Sequence, residues 1–151
     1  MFDKIIIATD GSAFSYLAAK QGVEIARMSG GQVVAVYVVD VPRLAQLPGY
    51  AGIAGTKDQL LELMIHQGQE ATEEVERIAA DAAVPCSKVI LRGHPSNELL
   101  RYSQESGADL LVMGSIGKSG LSRFLLGSVA QKVVEHSKVP VMLVPGKLAA
   151  R

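Results

Sequence analysis

The stretch KIIIATDGS, residues 4–12, opens with an apolar run and ends in small and acidic residues. Its isoleucines follow one another without polar alternation, which predicts a strand buried on both faces. Strands of this kind belong to parallel sheets that carry helices on both sides. The polar tail TDGS would then lie at the carboxyl end of a strand, where open parallel sheets bind their ligands.

Four further apolar runs resemble this one, and amphipathic segments separate them. Strands are predicted at 4–10, 31–40, 87–93, 108–114 and 139–145, and helices at 13–29, 57–83, 96–106 and 129–137. Most of the runs are bounded by Gly or Pro, as strands usually are. The alternation predicts an α/β fold with a parallel sheet between two layers of helices.

Residues at the helix ends suggest where the helices start and stop. Gly30 and Gly107 follow the first and third helices as stop signals. Ser96 is a candidate N-cap for the third helix. Ser128 and Gln131 have the spacing of a capping box at the start of the fourth.

The second helix is long and amphipathic. Its apolar stripe is predicted to contain Leu60, Leu61, Met64, Ile65, Ala71, Val75, Ile78 and Ala82. Gly68 falls inside it and predicts an interruption. The preceding segment VPRLAQLPGYAGIAG, residues 41–55, shows no clear period and is longer than most βα connections. Segments of this length are typically lids, partner surfaces or disordered, and the sequence does not distinguish these.

Composition excludes several classes of protein. A length of 151 residues favours a single domain over 1–151. With 15 basic and 15 acidic residues and 5% aromatics, the chain shows no nucleic-acid footprint. No apolar run approaches the roughly 20 residues of a membrane helix. The single cysteine, Cys86, excludes an internal disulfide and favours a cytoplasmic location; it is predicted to be a buried structural thiol at the start of the third strand.

Two features of the predicted carboxyl edge suit an anionic ligand. Gly127 and Ser128 begin a helix, whose first-turn N–H groups and dipole attract anions; the plainer interpretation is that Ser128 only caps that helix. Asp10 is either a turn residue or helix cap, or a carboxylate for ribose hydroxyls. Local sequence does not decide between these roles.

Familiar catalytic and metal motifs are missing from the sequence. GSIGKSG, residues 114–120, resembles a phosphate loop, but that motif needs glycine where Val112 stands. Lys118 is more simply explained as a solvated surface lysine and His94 as a loop residue, although both could face the crevice. His66 and His136 lack ligand spacing, so no metal site made of side chains is predicted.

The glycines nevertheless form a pattern. Gly114, Gly117, Gly127 and Ser128 read as glycine, two residues, glycine, nine residues, glycine-serine. Together with IIIATDGS, VYVVD, SGADLLVMGS and VPVMLVP, this pattern resembles the universal stress protein family over nearly the whole chain. In that family the glycine pattern marks the members that bind ATP.

This resemblance implies a fold and a set of binding residues. The expected sheet has five parallel strands in the order 3-2-1-4-5, so that strands 1 and 4 are neighbours. Roles in binding ATP would fall to Ala8, Thr9, Asp10, Val38, Met113, Gly114, Ser115, Gly117, Lys118, Ser119, Gly127, Ser128 and Val129. Asp10 would hold the ribose, the backbone of Val38 would read the adenine edge, and the two glycine stretches would bind phosphates. Mg²⁺ or Mn²⁺ would arrive with ATP and be held mainly by phosphate oxygens.

The function implied is an ATP-binding regulatory or stress-response module with slow hydrolysis or none. The alternatives are a slow ATPase or self-phosphorylating enzyme on the same fold, and an interaction protein that binds no nucleotide. Strand 5, from Val139 to Pro145, would form an apolar sheet edge. The family dimerises through this strand, so a homodimer is expected; a protein partner beyond it is not identified.

Overall fold

The computed structural model describes residues 1–46, 56–116 and 126–146. Its elements are β1 (Lys4–Ala8), α1 (Ala13–Ser29), β2 (Gln32–Asp40), α2 (Val41–Ala45), α3 (Thr56–Asp81), β3 (Cys86–Gly93), α4 (Pro95–Glu105), β4 (Leu110–Gly114), α5 (Ser128–His136) and β5 (Val141–Val144). The predicted alternation of strands and helices is confirmed. The short helix α2 was not predicted.

The strands form a five-stranded sheet in the order β3-β2-β1-β4-β5, and every neighbouring pair is parallel. At the centre, Ile6 of β1 lies opposite Val34 of β2 and Leu111 of β4. The expected strand order is therefore confirmed. The winding of the sheet reverses between β1 and β4, so a crevice opens beyond their carboxyl ends.

Alternating side chains of β1 explain the two helix layers. Ile5 and Ile7 belong to the cluster that packs against α1 and α3, whereas Ile6 packs with Leu99 of α4 and Val133 of α5. All three isoleucines are fully buried. The continuous apolar run at residues 5–8 is thus a strand covered on both faces, as predicted. Among the described residues, no helix combines the length and apolar character needed to cross a bilayer.

The prediction that the third and fifth strands are buried on both faces is wrong, because β3 and β5 are the two outer strands of the sheet and most of their residues are half-buried or exposed. β3 is an outer strand of the sheet, and Ser87, Lys88 and Arg92 are exposed on it. Lys88 forms an ion pair with Glu76 of α3, with 3.2 Å between Nζ and Oε1. Cys86 is only half-buried rather than a core thiol, and this burial raises the pKa of its thiol.

Helix α3 runs without interruption through Gly68, so the predicted break is wrong. A Cβ atom at Gly68 would lie 2.6 Å from Cδ1 of Tyr37 on β2. The glycine therefore lets the helix pack directly on the tyrosine ring, and its role is a close approach between elements.

The helix starts also differ from the sequence predictions. Ser12, not Asp10, caps α1. The N-cap position of α4 is His94, and Ser96 lies inside the helix with its hydroxyl 3.2 Å from Nδ1 of His94. At the helix ends, Gly30 has a φ of 71° and stops α1 as expected.

The predicted capping box at the fourth predicted helix is absent. Helix α5 starts at Ser128, with Gly127 in the cap position and no side-chain cap bond. The side chain of Gln131 turns along the helix and donates to Oε1 of Glu135 at 3.2 Å. The box fails because Ser128 lies one residue inside the helix, where its hydroxyl cannot reach forward to the N3 amide.

Candidate functional site

A cavity of about 550 Å³ lies beyond the carboxyl ends of β1, β2 and β4. This volume is within the range of small-molecule sites. The N-terminus of α5 closes one side of the cavity, and residues of α2 and α3 line another. The cavity occupies the crevice that the strand order predicts for ligand binding.

The turn after β1 fixes a carboxylate on the cavity wall. The N–H of Thr9 donates to the carbonyl of Val36 at 2.9 Å, which ends the pairing of β1 with β2. Oδ1 of Asp10 accepts the N–H of Ser12 at 2.9 Å, and Oγ1 of Thr9 accepts the N–H of Gly11 at 3.1 Å. Gly11 has a φ of 81°, which a side chain would strain. The carboxylate of Asp10 is thereby held in place beside the cavity.

A pair of buried hydroxyls supports this turn from behind. Oγ1 of Thr9 lies 3.0 Å from Oγ of Ser15, and Ser15 donates its hydroxyl proton to the carbonyl of Ser12 at 2.9 Å. Because a serine hydroxyl has a single proton, Thr9 donates to Ser15. Ser15 was not among the predicted site residues, and it also lines the cavity.

The backbone of Val38 points its polar groups into the cavity. N–H and C=O groups alternate between the two sides of a strand. The carbonyl of Val36 bonds Thr9 on the β1 side, so the N–H and C=O of Val38 face that side too. β1 ends at Ala8, which lies opposite Val36. These two backbone groups therefore stand beyond the end of β1, at the cavity wall.

The first turn of α5 presents backbone donors. The N–H of Gln131 makes the first helical bond, to the carbonyl of Gly127 at 2.9 Å. The amides of Ser128, Val129 and Ala130 precede it and have no partner within the helix. The cavity is lined by Gly127, Ser128, Val129 and Ala130, but not by Gln131. The turn is anchored from behind, since the N–H of Gly127 donates to the carbonyl of Ser115 at 2.8 Å.

Charges are distributed unevenly around the cavity. Asp10, Asp40 and Arg43 line it, and Oδ1 of Asp40 accepts the N–H of Arg43 at 3.0 Å to start α2. Burial raises the pKa of the Tyr37 phenol, and the nearby carboxylates of Asp10 and Asp40 raise it further. The carboxylates of Asp10 and Asp40 thus lie near Tyr37, while the N-terminus of α5 offers the positive pole of a helix.

The structure brings most of the predicted site residues together. Those that line the cavity are Ala8, Thr9, Asp10, Val38, Met113, Gly114, Gly127, Ser128 and Val129. Ser115 lies behind the wall and contributes its backbone to anchoring Gly127. Gly117, Lys118 and Ser119 lie outside the described residues. His94 is exposed at the start of α4 and is not part of the cavity lining.

Sequence reasoning missed a second group of lining residues. These are Ser15, Tyr37, Asp40, Arg43, Leu44, Leu60, Leu63, Met64, Gln67, Pro95, Leu99, Ile116 and Ala130. A signal for part of the group was present, because positions 60, 63, 64 and 67 have the spacing of one helix face. Within the described ranges, no group of three His, Cys, Asp or Glu side chains is placed to hold a metal ion.

Comparison with known proteins identifies the family. The family model described as "Universal stress protein family" matches residues 1–145. Universal stress protein MJ0531 of Methanocaldococcus jannaschii is 40% identical over 144 residues, which cover 95% of this chain and 82% of that protein.

Solved structures agree with this result. Protein MJ0577 has a TM-score of 0.83 to this chain at 25% identity, with 99% of each chain covered; it too comes from Methanocaldococcus jannaschii. A universal stress protein solved in complex with cAMP has a TM-score of 0.68 at 25% identity, covering 97% of this chain and 98% of its own. From the family match and the similarity to MJ0531, we conclude that the chain belongs to the universal stress protein family.

Proposed function

We propose that the cavity binds ATP and that the chain acts as a nucleotide-dependent regulatory module of the cytoplasm, with hydrolysis slow or absent. The observation that carries this proposal is the placement of α5 amides, which have no partner within the helix, across one cavity from the Asp10 carboxylate and the Val38 backbone. Phosphates, ribose and base need these three kinds of group. The cAMP complex of a related protein supports an adenine nucleotide as the ligand class.

The backbone of Val38 suits adenine. Its carbonyl can accept a hydrogen bond from the exocyclic amino group, and its N–H can donate one to the neighbouring ring nitrogen. Ala8 and Met113 line the same part of the cavity with apolar side chains and can cover the faces of the base. Guanine presents a carbonyl where adenine has its amino group, so the same backbone pair would reject it.

The carboxylate of Asp10 suits ribose. A carboxylate accepts several hydrogen bonds at once, so the bond from Ser12 is compatible with a bond from a ribose hydroxyl. Gly114 ends β4 beside it, and a Cβ atom there would lie 3.3 Å from the carbonyl of Ile116 and 3.4 Å from that of Phe14. The glycine therefore lets the end of β4, which lines the cavity, pack closely against these two backbone carbonyls.

The α5 N-terminus suits the phosphate chain, since its amides and helix dipole favour anions. Gly117, Lys118 and Ser119 are proposed to complete the phosphate site from the preceding stretch. Mg²⁺ or Mn²⁺ is proposed to arrive with ATP and to be held mainly by its phosphate oxygens.

The direct test is calorimetric titration with Mg-ATP and, in parallel, Mg-GTP. We expect ATP to bind at least about tenfold more tightly than GTP, a difference of about 1.4 kcal/mol. Release of bound nucleotide from the purified protein on denaturation would provide independent support. If neither nucleotide binds at millimolar concentration, the protein is an interaction module without a nucleotide.

Phosphate release separates a regulatory module from an enzyme. We expect turnover below about one per minute, far under the median enzyme rate of roughly 10 per second. A faster steady state that depends on bound Mg-ATP would instead establish an ATPase.

We further propose that the chain forms a homodimer through β5. The N–H of Leu111 donates to the carbonyl of Pro140, so the alternate residues Val141 and Leu143 direct their N–H groups to the outer edge. An uncharged edge of this kind favours pairing with its own copy. Sedimentation at micromolar concentration should show a dimer, and Val141→Pro should yield monomers because it removes one outward donor. A wild-type monomer would refute this assembly.

A further inference from the structure

The amino-terminal half of α3 carries two apolar stripes. One stripe packs on the sheet, where Leu61, Met64 and Ile65 contact the cluster of Tyr37 and Val39. The other consists of Leu60 and Leu63, which line the cavity together with Met64, a member of both stripes, and with the polar Gln67 one turn further on. A helix needs a single apolar stripe to pack on its sheet, so the second stripe is a surplus.

The surplus stripe is open towards the cavity. Leu63 is 52% exposed, an unusual amount for a large aliphatic side chain in a cavity wall. Leu60 and Met64 are half-buried, and Leu44 of α2 is 2% exposed and lines the same cavity. We call Leu44, Leu60, Leu63 and Met64 the apolar annex.

The annex is continuous with the proposed nucleotide site. Asp10 and Val38 line the same cavity, and Asp40, Arg43 and Gln67 supply its polar groups near α2 and α3. The proposed roles of Val38, Asp10 and α5 account for the base, sugar and phosphates of ATP. Ala8 and Met113 are proposed to cover the faces of the base, so the annex is apolar surface beyond what these three parts of ATP use.

We propose that the apolar annex is a subsite for an apolar group attached to the bound adenine nucleotide. The ligand class is therefore adenine nucleotides that carry an aromatic or hydrocarbon substituent on the base or the ribose. This inference rests on the proposed function and narrows its ligand. A small-molecule occupant matches a cavity of about 550 Å³, which is too small to admit a folded partner.

The experiment compares three ligands by calorimetry: ATP, N6-benzyl-ATP, and ATP with a methylanthraniloyl group on the ribose. At least one substituted nucleotide should bind about tenfold more tightly than ATP, because its ring leaves water for the annex. The favoured ligand identifies whether the group is attached to the base or the ribose. Fluorescence of the methylanthraniloyl group should also rise on binding, as expected for an apolar environment.

Substitutions in the annex test where the preference arises. We expect Leu63→Gln, and separately Leu60→Gln, to abolish the preference, so that the favoured substituted nucleotide and ATP bind with nearly equal affinity. Met28→Gln is the matched control, since Met28 is 73% exposed on the last turn of α1, away from the cavity. It should leave the preference unchanged. Thermal melting of each variant verifies that it is folded.

Three results would overturn the inference. Substituted nucleotides that bind no better than ATP would show that the annex contributes nothing, while the proposed ATP site would stand. A preference that persists in folded Leu63→Gln and Leu60→Gln variants would place the apolar contact elsewhere. Failure of ATP itself to bind would remove both the proposed function and this subsite.

Discussion

Helices α1 and α5 both begin at the carboxyl edge of the sheet, but their first turns differ. At α1, Oγ of Ser12 accepts the N–H of Ser15 at 3.2 Å, and Oδ1 of Asp10 accepts the N–H of Ser12 at 2.9 Å. At α5, Gly127 occupies the cap position, and no side chain of the described residues bonds to the first turn. A side chain therefore bonds one first-turn amide of α1, whereas the described residues show no such bond at α5, which favours α5 as the anion site.

Helix α4 strengthens this comparison, because it also lacks a side-chain cap. Its first turn begins with Pro95, which has no N–H, and contains the carboxylate of Glu98. Arg101 holds the pKa of Glu98 below its usual range, so this carboxylate is charged at neutral pH. An anion at α4 would lack the hydrogen bond that Pro95 cannot donate and would be repelled by the charge of Glu98. The first turn of α5 contains neither a proline nor an acidic side chain.

A negative charge added to α5 should have the largest effect on ATP affinity. Ser128→Asp places a carboxylate beside the open amides, where it competes for them and repels phosphate. We expect ATP to bind about 100-fold more weakly, a loss of about 2.7 kcal/mol. Asn97→Asp adds the same charge to the first turn of α4 and should change affinity less than about threefold. Equal losses in the two variants would mean that α5 is not the phosphate site.

The stretch before α5 should contribute next. Gly117→Val puts a branched side chain at the second glycine of the pattern formed by Gly114, Gly117, Gly127 and Ser128. Gly117 itself lies outside the described residues. We expect ATP affinity to fall at least about tenfold, or 1.4 kcal/mol. Gly117→Ala should cause a smaller loss, since it adds only one methyl group. Unchanged affinity in a folded Gly117→Val variant would count against two-part phosphate binding.

The sequence identified the elements whose burial is uniform. β1 and β4 are fully covered, so their unbroken apolar runs are sufficient to identify them. β3 has a similar run but lies at the sheet edge, and which strand is outermost depends on the order of winding. That order came from the family resemblance, because local periodicity contains no information about strand neighbours.

The finer features depend on tertiary contacts that local sequence does not specify. Gly68 resembles a helix break, yet it is the place where the ring of Tyr37 packs against α3. In DGS, both Asp10 and Ser12 are suitable cap residues, and only the backbone conformation selects Ser12. Ser128 also looked like a cap, but the cap position falls on Gly127. This last error matters, because an uncapped turn is better suited to bind phosphate.

Asp10 has two roles to separate, since it supports the turn before α1 and is also proposed to hold the ribose. We expect wild-type protein to bind ATP about fivefold more tightly than 2′,3′-dideoxy-ATP. Asp10→Ala should bring this ratio close to one. The variant also loses the bond to Ser12, but any resulting change in the fold affects both ligands alike. A ratio that survives the substitution would assign the ribose hydroxyls to another group.

The smallest effect on affinity should come from removing the α1 cap. Ser12→Ala leaves the N–H of Ser15 without its acceptor at 3.2 Å and should lower the free energy of unfolding by about 1 kcal/mol. ATP affinity should change less than about twofold, because the phosphates are proposed to bind at α5 rather than at α1. Ser128→Ala is the matched variant at α5, where no cap bond exists to be lost, so urea unfolding should detect little change in stability. Equal destabilisation by the two serine variants would show that the first turns do not differ, and the assignment of the anion site to α5 would lose its basis.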